Sequence, residues 1–191
     1  MDASATSDEA LLLRYAGGDV AAFEALYERH ELPLWRFTLR LCGGQRANAQ
    51  ELVQEVWFAV TREAPRFKPD ARFTAWLYTI ARNRVIDRHR TARHYASLDA
   101  IDGTGATLAE SLADPDAPQP PQQAEQAEQG AAILRALETL PEDQREAFVL
   151  QTEGGLSVEE IANITGTTLE TAKSRLRYAR HKLKALLRDY A

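Results

Sequence analysis

The sequence predicts an all-α protein of two helical modules joined by a flexible linker. Three observations carry that expectation. Apolar residues recur at spacings of three and four along most of the chain, and no run alternates with the period of two that marks a strand. Two S/T-x-x-E sequences stand either side of a glycine near the C-terminus, the pattern of two helix starts around a tight turn. Residues 99–130 hold seven Asp or Glu and no Lys or Arg, and Pro115, Pro118, Pro120 and Pro121 break any helix through their middle. The predicted organisation is therefore a first module over 8–96, a linker over 97–130 and a second module over 131–191.

In the first module Phe23, Leu26 and Tyr27 begin one apolar stripe, and Leu34, Phe37 and Leu41 form another that Gly43-Gly44 brings to a stop. Leu52, Val53, Val56 and Val60 line a third helix. Pro65 and Pro69 bracket a loop, and a fourth helix starts near Phe73 with Phe73, Leu77, Ile80 and Ala81 on one face. The linker, taken as a coil, spans roughly 30 Å.

The second module ends in "LSVEEIANITGTTLETAKSRLRYARHKLKALL". Ser157 with Glu160 and Thr167 with Glu170 form the two capping boxes, and Gly166 supplies the turn between them. A short helix, a glycine turn and a longer helix are the signature of a helix-turn-helix. In the longer helix Leu169, Ala172, Leu176, Ala179, Leu183 and Leu186 make the inward stripe. At 100° per residue Glu170, Ser174, Arg177 and His181 lie opposite, flanked by Thr171 and Lys173. Such a face fits the major groove, where Arg and Lys donate to guanine and Ser and Thr serve a base or a phosphate.

Composition narrows the function. The 191 residues are 45% apolar, enough for a packed core. Cys42 is the only cysteine, so no disulfide framework exists, as suits a reducing cytoplasm. The N-terminus lacks a basic region and a long apolar run, and no stretch approaches the roughly 20 apolar residues of a membrane span. A cytoplasmic protein without membrane insertion is expected. The net charge is -5, yet residues 62–95 carry nine Lys or Arg against Glu63, Asp70 and Asp87, and residues 173–191 carry seven against Asp189. Two separate basic patches point to two contacts with a polyanion. His30, His89, His94 and His181 show no metal spacing, and no Walker loop or nucleophile elbow is present. No catalytic residue, metal or cofactor is expected, and the protein is read as no enzyme.

The helix-turn-helix alone fits a transcriptional regulator that binds duplex promoter DNA unaided. The first module adds two further motifs, and the second module a longer one that includes the helix-turn-helix. "ELVQEVWFAV" resembles the helix of bacterial sigma factors that docks on core RNA polymerase, and "FTAWLYTIARNRVIDRHR" resembles their promoter-melting, −10-reading segment. "LPEDQREAFVL…GLSVEEIANITGTTLETAKSRLRYARHKL" is similar to their −35-reading domain. Order and spacing agree from about residue 10 to 188 with the extracytoplasmic-function (ECF) group of the sigma-70 family. That resemblance implies core RNA polymerase, promoter DNA and an anti-sigma factor as partners. It also implies a start directly at region 2, without a self-inhibiting N-terminal domain.

The resemblance extends to individual residues. Glu51, Gln54, Glu55 and Phe58 project opposite the third helix's apolar stripe; two carboxylates, an amide and an exposed ring suit a protein interface. The family implies polymerase contact for Glu51, Gln54 and Glu55, with Glu51 where aspartate is usual. Lys68, Arg72 and Trp76 fall in the segment implied to capture −10 bases. Asn83 matches a base-reading position, and Arg84, Arg88 and Arg90 are candidates for phosphates. A tryptophan beside Leu77 and Ile80 is more often a core side chain, so Trp76 also reads as core. On the last helix Thr168, Thr171, Lys173, Ser174, Arg177 and Arg180 are the −35 candidates. Glu170, Ala172 and Thr168 replace a frequent glycine, valine and proline, and Glu170 on the outer face could accept from cytosine N4. The acidic linker suits a strand threaded through polymerase channels, or a passive tether.

Overall fold

A computed structural model of the chain describes the backbone of residues 6–102 and 121–188 and the side chains of residues 6–92 and 128–188. Eight α-helices and no strands occur among the described residues. They are α1 (Asp8–Ala16), α2 (Val20–Leu41), α3 (Arg46–Glu63), α4 (Phe73–Asp102), α5 (Pro121–Glu138), α6 (Glu142–Gly154), α7 (Val158–Thr165) and α8 (Leu169–Leu186), with a 3₁₀ turn at Ala64–Arg66.

The first module differs from the sequence reading at its start. The two expected stripes belong to one helix, α2, which carries Pro33 inside it. Proline removes only its own donor from the ladder, and Leu26, Leu34 and Phe37, all fully buried, hold the helix against one core. A further helix, α1, precedes it. Ser7 caps α1 by accepting from the Ala10 amide, and Leu11 and Leu12 bury completely. Asp19 caps α2 by accepting from Ala22 and pairs with Arg14. The stop after α2 is as read: Gly43 and Gly44 adopt φ of 60° and 78°, which other residues rarely do.

In α3 the buried face adds Trp57 to the expected Leu52, Val53, Val56 and Val60. Trp57 meets Phe23 edge-on at 5.5 Å and Tyr27 at 5.1 Å, so aromatic packing joins α2 to α3. Helical backbone continues through α4 to Asp102, and α5 begins at Pro121, a residue suited to the first helical position. Both ends of the expected coil are therefore helical; residues 103–120, its centre, lie outside the described residues. No helix among those described is long and apolar enough to cross a membrane.

Candidate nucleic-acid interface

The helix-turn-helix forms from α7 and α8. Ser157 accepts from the Glu160 amide at 3.2 Å, and the Glu160 carboxylate accepts from the Ser157 amide at 2.7 Å, completing the first capping box. The second start differs from the sequence reading. Gly166, at φ 65°, closes α7; its amide and that of Thr167 donate back to Asn163 and Ala162. Thr167 is thereby committed to the turn, and Thr168 caps α8, accepting from the Thr171 amide. Glu170 turns instead to Lys173, 2.8 Å away.

Ala172, Leu176, Ala179 and Leu183 of α8 are buried. Thr168, Glu170, Thr171, Lys173 and Arg177 are exposed, and Ser174 is half-buried. The Arg177 guanidinium rests over the Tyr178 ring, 5.1 Å from its centroid. The basic residues of α8 divide by position. Arg175, Arg180 and Lys182, on the flanks of the buried stripe, bond to Asp143 at 2.5 Å, to Gln151 and to the Thr139 carbonyl. These tie α8 to α6 and to the end of α5. Arg180, a −35 candidate, is thus engaged within the module, whereas Arg177 and Lys173 face outward.

In α4 the three neighbouring aromatics take three different roles. Phe73 is fully buried beside His30, ring centroids 5.1 Å apart, and its amide donates to Glu9 at 2.8 Å. Tyr78 is buried against Phe37. Trp76 alone reaches the surface, half-buried, edge-on to Phe67 at 5.2 Å. Trp76, Asn83 and Arg90 are seven residues apart in turn and share the outer flank, with Lys68 exposed in the preceding loop. Arg84 is half-buried. Arg88 lies about 140° around the helix from Asn83 and bonds to Glu51 at 2.8 Å and Glu55 at 3.1 Å on α3. On that ridge Glu51, Gln54 and Glu55 are exposed, and Phe58, at 73%, is the most exposed of the large apolar residues described.

The two modules pack against each other. The Tyr78 hydroxyl donates to the Glu153 carbonyl at 2.9 Å, and burial pushes its pKa up. Arg82 bonds to both Glu146 oxygens, at 2.8 and 3.3 Å, and Arg40 pairs with the Glu153 carboxylate. Arg72 reaches Glu160 at 2.9 Å. Burial works to raise the Glu160 pKa, but the Ser157 bonds and Arg72 outweigh it and hold the carboxyl below its ordinary value. A Cβ on Gly154 would stand 3.2 Å from the Tyr78 ring and 3.0 Å from Leu156, so α6 and α4 approach through that glycine. Arg72, a −10 candidate, is therefore spent on the second module. Sequence spacing offered no signal for Arg82, Glu146 or Tyr78 as contacts between modules.

Sequence models of known families match both modules: Sigma-70 region 2 over residues 26–95 and Sigma-70, region 4 over residues 130–183. The RNA polymerase sigma factor CarQ of Myxococcus xanthus is 34% identical, covering 91% of this chain and 94% of that protein. The ECF RNA polymerase sigma factor SigM of Mycobacterium tuberculosis is 33% identical, covering 95% and 85%. Among solved structures, CnrH in complex with the cytosolic domain of CnrY aligns with a TM-score of 0.67 at 26% identity, covering all of both chains. The sigma factor RpoE of Bartonella quintana, in complex with the anti-sigma factor NepR, aligns at 0.66 and 28% identity, covering 87% of this chain and 96% of that one. The chain belongs to the sigma-70 family, in its extracytoplasmic-function group, with region 2 and region 4 as its two modules.

Proposed function

We propose that this ECF sigma factor docks on core RNA polymerase through the α3 ridge of Glu51, Gln54, Glu55 and Phe58, captures −10 DNA along Trp76, Asn83 and Arg90 of α4, and reads −35 DNA with Lys173, Ser174 and Arg177 of α8. It directs promoter-specific initiation and carries out no catalysis of its own. Lys68 and Arg84 add to the −10 surface, and Thr168 and Thr171 to the −35 surface; Arg72, Arg88 and Arg180 join them only where their present partners Glu160, Glu51 with Glu55, and Gln151 release them. Its place of action is the cytoplasm, and an anti-sigma factor is its regulatory partner, as for the RpoE relative.

The observation that carries this reading is Phe58, 73% exposed on the same ridge as two carboxylates and an amide, on a helix whose other face is packed. A ring left in water on such a ridge suits burial against another protein. The α4 track suits strand capture. Base–aromatic stacking contributes roughly 1–3 kcal/mol per base, comparable with the few kcal/mol needed to extrude one. Run-off transcription from a promoter library, with and without core polymerase, tests the proposal. Transcripts that require both the chain and core polymerase, and that fall with Phe58→Ala, support it. Tight duplex binding without polymerase, indifferent to Phe58→Ala, would identify a stand-alone regulator.

A further inference from the structure

Arg88 sits where two functions meet. It belongs to α4, yet its guanidinium points back to α3, bonding to Glu51 Oε2 at 2.8 Å, Glu55 Oε1 at 3.1 Å and Asn48 Oδ1 at 3.3 Å. Its side chain is 26% exposed, against 64% for Glu51 and 46% for Glu55. These residues line one groove with Arg84 and Asp87. A planar guanidinium spanning two carboxylates is a fixed fork that a lysine cannot reproduce. It holds both carboxylates in one orientation along the ridge, and it is itself withheld from any other anion.

We propose that Arg88 is a positioning residue that couples polymerase docking to DNA binding. In the free chain Glu51 and Glu55 occupy its guanidinium. A cationic polymerase surface that takes up those carboxylates releases it to a nucleic-acid phosphate. This rests on the proposed docking role of the α3 ridge. The competition is symmetric, since polymerase and DNA each draw one side of the same ion-pair cluster away from the other. Each therefore raises the other's affinity by the same factor.

The test is a double-mutant cycle on the full chain without polymerase. The readout is the anisotropy of a labelled oligo-dT of about 12 nucleotides, within the site sizes of single-strand grooves. Glu51→Gln with Glu55→Gln mimics docking by freeing Arg88; Arg88→Met removes the charge and keeps the aliphatic stem. Loss of two negative charges strengthens binding in either background, so the difference between backgrounds isolates Arg88. The paired glutamines are expected to strengthen binding about five- to tenfold more with Arg88 present than with Arg88→Met. The salt slope should steepen by about one where Arg88 is present. Equal gains in both backgrounds would overturn the coupling and leave docking untouched. Core polymerase affinity of the paired glutamine variant is measured separately. A value equal to that of the unaltered chain would overturn the docking reading, whatever the cycle returns.

Discussion

The contact between regions 2 and 4 rests on few polar partners, and Glu146 is the one whose removal is most informative. Its carboxylate accepts from Nε and Nη2 of Arg82, and the Arg82 and Glu146 side chains are 20% and 13% exposed. Glu146→Ala leaves that guanidinium half-buried without its acceptor. When the regions separate, the guanidinium meets water, so the loss acts on the closed arrangement and not on either region's fold. Hydrogen bonds to charged groups contribute about 1.5–3 kcal/mol. Taking about 2–3 kcal/mol for this bidentate, mostly desolvated pair, the closed population should fall about 30- to 150-fold relative to the open one. Energy transfer between fluorophores at the exposed positions Glu24 and Lys184 reports the change, with Cys42→Ala as background. Transfer should fall in Glu146→Ala and recover when Arg82→Glu and Glu146→Arg are combined. Unchanged transfer in Glu146→Ala, or a swapped pair no more closed than either single reversal, would refute the reasoning.

Four further outcomes follow from the structure. Ser157 and Arg72 together hold the Glu160 carboxyl below its ordinary value, and only Arg72 acts across the regions; that contact is complete above the usual value of 4.5 and is lost as pH falls below it, so the same transfer signal should drop in acid by the part Arg72 contributes, and Glu160→Gln should remove that step. Burial pushes the Cys42 thiol up from its ordinary 9.0 to about 11, so at pH 8 its thiolate fraction is about a hundredfold lower and iodoacetamide should modify it about a hundredfold more slowly than a thiol at 9.0, followed by mass spectrometry. Arg177→Ala should weaken −35 duplex binding by about 1–3 kcal/mol without moving the melting temperature. Arg175→Ala, which breaks the pair with Asp143, should instead lower the stability of region 4 more than it weakens DNA contact.

What could be read in advance and what could not separate by sequence distance. The Ser157–Glu160 box and the Gly166 turn, like the α3 stripe and the outward Phe58, are properties of neighbours within a turn or two of helix. Periodicity and capping chemistry express them without any knowledge of the fold. The second cap shows the limit of that reading. Thr167 and Thr168 both fit a cap, and only the closing bonds of α7 decided for Thr168. The continuity of α2 through Pro33 was settled in the same way, by the core that holds both of its halves.

Periodicity, capping and charge pattern suffice to show that the chain is helical, that it has two modules, and which helix faces are polar and basic. Tertiary structure alone decided which cations on those faces are already committed. Arg72 meets Glu160 across 88 residues, Arg82 meets Glu146 across 64, Arg88 meets Glu51 across 37 and Arg175 meets Asp143 across 32. An arginine free for a phosphate and one already paired look identical in sequence. The difference is a carboxylate a few ångströms away, brought there by the packing of another helix and invisible to any local pattern.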